Sequence, residues 1–221
     1  MGVIAPVVLV PGLGLGPESY GPTQQHLEIP SDVVTLPGYG EPTRDDDLHV
    51  EALADRLAKH LQPGTVLVSH SASCHVAVAT ALAYPDLVSA LILLGPTGDV
   101  TASGWPTLAG RWVRSALWER PTLIPTLTKQ YFRTSFPAMA RAEQVGRQYD
   151  LAAALPQVAV PVVVLRCSHD HLCPAAWAQR LADLAGGEAW TLPTGSHMPV
   201  LTNGRDLAAF IHRAAGVYKA G

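Results

Sequence analysis

Ser71 stands in the segment Ser69-His70-Ser71-Ala72-Ser73, between the apolar run 65–69 and a stretch over 72–84 rich in alanine and valine. An apolar strand that turns sharply into a helix lifts the serine at the turn out of the sheet and sets its hydroxyl beside the helix N-terminus. There the unpaired backbone N–H groups and the helix dipole favour negative charge, which suits a serine acting as a nucleophile. Backbone from strand and helix crowds the positions two before and two after such a serine, so small residues are required. Ser69 and Ser73 meet that need. In isolation, a serine at a helix start is equally an ordinary N-cap.

Other clusters admit chemistry of different kinds. Gly12, Gly14 and Gly16 follow the apolar run Val7–Val10, but the G-x-G-x-G spacing puts Pro17 where a dinucleotide fingerprint needs its third glycine. Cys167, His169, His171 and Cys173 alternate along one segment and are ligand types that suit zinc. Asp170 would then point away from the metal, and no metal is expected. Asp45, Asp46 and Asp47 precede a helical pattern and read as its N-terminal cap and first turn.

Read together, four segments resemble the α/β-hydrolase family. Ser69 to Ser73 is similar to the nucleophile elbow G-x-S-x-G, with both glycines replaced by serine. Val7-Val8-Leu9-Val10-Pro11-Gly12-Leu13-Gly14 resembles the strand and oxyanion loop. The segment 161–174 resembles the strand and loop that carry the family's acid, with Asp170 in that place and Pro174 four residues later. Gly195-Ser196-His197 is similar to the G-x-H pattern of the histidine loop. The order serine, aspartate, histidine is that of this fold. The resemblance, which covers nearly the whole chain, implies Ser71 as nucleophile, His197 as base and Asp170 as the carboxylate that orients it. It also implies that the N–H groups of Leu13 and Ala72 bind the oxyanion. Gly12, Trp105, Trp112 and Met198 are expected at the substrate pocket. Asp99, after another strand, is an alternative acid. His70 is expected to pack behind the sheet, and His75 to be on the helix surface or a packed polar group.

The elements that must position these residues follow from the apolar pattern. Strands are expected at Val7–Val10, 33–36, 65–69, 90–94, 162–166 and Glu188–Leu192, without polar alternation, as in a sheet covered on both faces. Helices are expected at 18–28, 46–61, 72–84, 175–185 and 204–215. In 49–61, Val50, Leu53, Ala54, Leu57 and Leu61 share one helix face. Strands alternating with helices give an α/β fold: a mostly parallel sheet of about six strands, helices on both faces, without the N-terminal hairpin usual in the family. Residues 98–155 break the rhythm with about three helices rich in aromatics. They read as a helical cap inserted between two parts of the core, 1–97 and 156–221.

The chain has 221 residues, a net charge of −3 and 48% hydrophobic residues. That suffices for a substantial core and gives no electrostatic footprint for nucleic acid. Three cysteines exclude a disulfide framework and fit a cytoplasmic protein. The apolar N-terminus is too short to span a bilayer, and no membrane association is expected. An exposed sheet edge leaves room for a homodimer. The expected function is that of a cofactor-free serine hydrolase acting on an ester, thioester, lactone or activated ketone of a small, largely apolar molecule. A lyase, acyl-transfer or cyclisation enzyme would use the same residues, and a non-catalytic binding member would keep the same fold.

Overall fold

Runs of valine, leucine and isoleucine form strands most readily where both faces of a sheet are covered. The computed structural model, which describes residues 5–43, 47–99, 101 and 104–216, has this arrangement. In chain order the elements are β1 (Val7–Val10), a 3-10 turn (Pro17–Tyr20), α1 (Gly21–Gln24), β2 (Ser31–Val33), β3 (Leu36–Pro37), β4 (Gly40–Glu41) and α2 (Val50–Ala58). Next come β5 (Thr65–His70), α3 (Ser73–Ala83) and β6 (Val88–Leu94). Four helices follow: α4 (Trp105–Ala116), α5 (Ile124–Thr134), α6 (Phe136–Gly146) and α7 (Leu151–Ala154). The chain then returns to the sheet with β7 (Val162–Cys167), α8 (Ala175–Leu184), β8 (Glu188–Leu192), α9 (Pro199–Thr202) and α10 (Gly204–Ala214).

Six strands form one sheet in the order β2-β1-β5-β6-β7-β8, every adjacent pair parallel. Side chains alternate between two buried layers. Val8, Val10, Leu67, Leu91, Leu93 and Val164 face α2, α3 and α8. Val7, Leu9, Val66, Val68, Ile92 and Leu94 face the other way, toward α10 and Tyr20. Because all strands run the same way, the loops after β1, β5, β7 and β8 open at one edge of the sheet, where such folds bind ligands. No helix among the described residues is long and apolar enough to cross a membrane.

Three expected boundaries shift, each for a local reason. The strand expected at 33–36 is Ser31–Val33; Val34 N–H still donates to Leu9 O, but Leu36 N–H turns to Tyr39 O instead. Gly38 and Gly40, at φ 84° and 94°, permit that reversal. The helix expected at 18–28 divides into the 3-10 turn and α1, since Pro22 has no N–H to carry the turn onward. The aspartate cap does not form as expected. Helix α2 starts at Val50, and Asp47 instead accepts the His49 N–H at 2.9 Å; Asp45 and Asp46 lie outside the described residues.

Burial decides which positions carry stability. Leu93 is fully buried between β5 and β7, whereas Leu117, after α4, is 78% exposed. Leu93→Ala is expected to lower the unfolding free energy by about 2–5 kcal/mol. Leu117→Ala should change it by roughly 0.5 kcal/mol or less. Urea denaturation followed by circular dichroism measures both.

Candidate active site

Strand β5 ends at His70 and helix α3 begins at Ser73, so the chain must reverse within two residues. Ser71 takes the strain, with a left-handed φ of 59°. Such a conformation costs a residue with a β-carbon about 1–3 kcal/mol and persists only where its surroundings enforce it. Here Ser71 N–H donates to Leu94 O at 2.8 Å, and Ser71 O accepts the Cys74 N–H at 3.1 Å. Ser73 supplies a staple that glycine could not. Its hydroxyl accepts the His70 N–H at 3.0 Å, donates to His70 O at 2.8 Å and lies 3.2 Å from Val10 O at the end of β1. Among the described residues the buried hydroxyl of Ser69 has no hydrogen-bond partner.

The elbow aims Ser71 at the loop after β8. Ser71 Oγ lies 2.8 Å from His197 Nε2, and His197 Nδ1 lies 3.0 Å from Asp170 Oδ2. A carboxylate can only accept, so Nδ1 carries the proton and Nε2 is left to accept the serine O–H. Asp170 is 1% exposed. Burial favours its neutral form, but the adjacent His197 and the Cys173 N–H hold its carboxyl below the usual range. Its second oxygen accepts the N–H groups of Leu172 and Cys173 at 2.9 and 3.0 Å. Arg166 fixes the acid loop by donating to the carbonyls of Cys173 and Asp170. Burial alone would lower the basicity of His197. Asp170 first, then Glu119 and Glu143, reverse this and raise its pKa above the ordinary value.

Leu13 and Ala72 flank this line, and among the described residues neither N–H is bonded to a backbone or side-chain acceptor. Of the expected pocket residues, Trp105, Trp112 and Met198 line a cavity of about 430 Å³ that opens on Ser71 and His197. Gly12 is not among its lining residues. A β-carbon there would come within 2.5 Å of the His70 ring, so glycine serves that close approach. Asp99 is paired with Arg111 at 2.6 Å, which leaves Asp170 as the carboxylate facing His197. The four cysteine and histidine positions do not converge. Cys167 and Cys173 are buried on opposite faces of the sheet and His169 stacks on Trp118. Among the described residues no group of three or more His, Cys, Asp or Glu is placed to hold a metal. His75 is a packed polar group bonded to Thr97 O.

Several contributors carry no sequence signal of their own. His70 does not pack away from the site as expected. It lines the cavity, and its Nε2–H donates to His197 O at 2.7 Å. Burial, aided by the charge of His197, pushes its pKa down to about 3, so this ring stays neutral. Gly95 passes beneath the histidine–carboxylate pair, where a β-carbon would lie 2.8 Å from Asp170 Oδ2. From the segment after β6, Glu119 accepts the Met198 N–H at 2.9 Å, Ser115 O accepts from Ser196 Oγ, and Ser115 Oγ accepts the His171 N–H. The α4 end thus grips both the acid loop and the histidine loop. Helix α5 grips the first loop in turn, Gln130 accepting the Gly16 N–H at 2.7 Å.

The two elbow serines should respond oppositely to truncation. Ser73→Ala leaves a buried His70 N–H without its acceptor and is expected to destabilise by about 1–3 kcal/mol. Ser69→Ala removes an unpartnered buried hydroxyl and is expected to be neutral or stabilising. Denaturant midpoints of the two variants give the comparison.

The chain has counterparts among known proteins. The chain is 27% identical over 171 residues to strigolactone esterase D14 of Arabidopsis thaliana, covering 66% of this chain and 64% of that one. It is 25% identical over 161 residues to pyrrolizixenacetamide deacetylase of Xenorhabdus hominickii, covering 62% and 60%. The matched region is therefore less than two thirds of either relative's length. Among solved structures, a hydrolase from Oleispira antarctica superposes with a TM-score of 0.78 at 15% identity, over 96% of this chain and 92% of that chain. A thermophilic esterase from Thermogutta terrifontis does so with a TM-score of 0.74 at 20% identity, over 96% and 90%. Those two likenesses establish the fold. The model of the alpha/beta hydrolase family matches residues 7–210, which takes in every strand and all four loops of the site, and the chain belongs to that family.

Proposed function

We propose that the chain is a cofactor-free serine hydrolase that cleaves an ester, thioester, lactone or activated ketone of a small, largely apolar molecule. The hydrogen-bonded line Ser71–His197–Asp170, at 2.8 and 3.0 Å, is the observation that carries this reading. Ser71 Oγ attacks the carbonyl carbon as His197 Nε2 takes its proton. The N–H groups of Leu13 and Ala72 stabilise the oxyanion that forms. His197 then returns the proton to the leaving group, and the bond to that group breaks. A water, deprotonated by His197, attacks the acyl-enzyme and releases Ser71 with its proton restored. Asp170 holds the tautomer and stabilises the imidazolium at each stage. Residues 98–155 act as a cap whose aromatic side chains keep the acyl group out of water. The relatives named as an esterase and a deacetylase fit transfer of an acyl group to water.

A fluorophosphonate probe should give a mass-spectrometric adduct on Ser71, and Ser71→Ala should lower p-nitrophenyl ester turnover by about 10³–10⁶-fold. Equal turnover by both proteins, or an adduct elsewhere, sinks the assignment.

The pH dependence follows from His197, which must be neutral to accept the serine proton. Because its pKa is raised in the folded protein, kcat/KM should rise with pH through a midpoint above 6.5. Asp170→Asn removes the largest raising influence, so that midpoint should move down while kcat falls about 10⁴-fold. A pH–rate profile of both proteins reads the two effects.

A further inference from the structure

The cavity above Ser71 is walled by aromatic and aliphatic side chains, among them Trp105, Trp112, Tyr131 and Phe136. Among the described residues one carboxylate interrupts this lining. Glu143, on α6, faces the same space as Ser71 and His197 and, among the described residues, accepts no hydrogen bond. Among the described residues no lysine or arginine lines the cavity, and the other ionisable side chains there are Tyr131 and the two histidines. Arg147, one helical turn on, lowers the pKa of Glu143 only through space, its guanidinium lying 4.9 Å over the Trp105 ring. Burial dominates and raises the carboxyl above its usual range.

A partly buried carboxylate with no donor carries an uncompensated desolvation cost. A ligand that brings a cation or a donor to it removes that cost. Aromatic faces attract the same kind of group, since a ring quadrupole draws a positive charge within about 6 Å of its centre. Carboxylate and rings therefore select one chemistry, and the apolar remainder selects the body that bears it. We infer that Glu143 is a specificity residue, which receives an ammonium group carried on an otherwise apolar substrate while Ser71 engages the carbonyl. Glu143 and His197 are close enough for each to influence the other's charge, so the cation sits near the reacting end of the molecule. This inference rests on the serine-hydrolase reading for its reaction, though not for its binding site.

The test compares two p-nitrophenyl esters of the same shape, the 4-(trimethylammonio)butyrate and its carbon isostere 5,5-dimethylhexanoate. At pH 8 the wild type should favour the cationic ester in kcat/KM. Glu143→Gln and Glu143→Leu should each cut that preference at least tenfold, chiefly through KM. A wild type that prefers the neutral isostere, or a preference unchanged in folded variants, overturns the inference. A second measurement needs no turnover: titration of benzyltrimethylammonium into Ser71→Ala and into Ser71→Ala/Glu143→Gln, followed by tryptophan fluorescence. At least tenfold weaker binding is expected with the second variant, and equal binding overturns the inference. If neither ester is turned over and no adduct forms on Ser71, the hydrolase reading fails, while this titration still decides the role of Glu143.

Discussion

Ser71 holds a left-handed backbone conformation, φ 59°, which a residue with a β-carbon keeps only under compulsion. The compulsion comes from buried neighbours. Leu94 O, at the end of β6, takes the Ser71 N–H, and the Ser73 hydroxyl locks both backbone groups of His70. Those contacts are stiff because β5 and β6 lie in the middle of a sheet packed on both faces. Were the elbow to relax toward ordinary helical angles, the serine hydroxyl would leave the lone pair of His197 Nε2. Core burial and site geometry are one constraint seen at two scales.

Protons around the elbow are placed by what each nitrogen can reach. Asp170 claims the Nδ1–H of His197, and the carbonyl of His197 claims the Nε2–H of His70. Both tautomers follow from acceptors that can do nothing else. The two rings, 5.2 Å apart, then diverge electrically. His197 lies beside Asp170, with Glu119 and Glu143 also acting on it, and its charged form is favoured. On His70 burial and the charge of His197 outweigh the pull of Asp170, and this ring remains neutral. Two buried imidazoles of the same type thus diverge into one whose charged form is favoured and one that is a fixed hydrogen-bond donor.

The helices between β6 and β7 do more than roof the cavity. Ser115 and Glu119 bond directly to the acid and histidine loops, so the position of α4 and the position of His197 are linked. Gln130 and Thr134 on α5 bond to the loop after β1. Three of the four loops at the sheet edge are therefore held from above as well as from the strands below.

The strands, their parallel arrangement and the loops that carry Ser71, Asp170 and His197 were legible in the residue order. Apolar runs without alternation encode two-sided burial, and small residues around a serine encode a tight turn; both are local signals. The strand at 33–36 and the aspartate cap were misplaced because Tyr39 and His49 supply competing hydrogen bonds that propensity does not register. Nothing local marks Gly95, Glu119 or Glu143 as neighbours of His197. Their importance comes from distances across the fold, between segments separated by long stretches of chain. By itself the sequence determined which residue types stand at the strand ends, and in what order. Only the tertiary structure decided that Asp170 and not Asp99 meets His197, that Ser73 works as a staple, and that the Glu143 carboxylate faces an apolar cavity. Hydrogen bonds and desolvation act over a few ångströms in space, and separation along the chain does not report that distance.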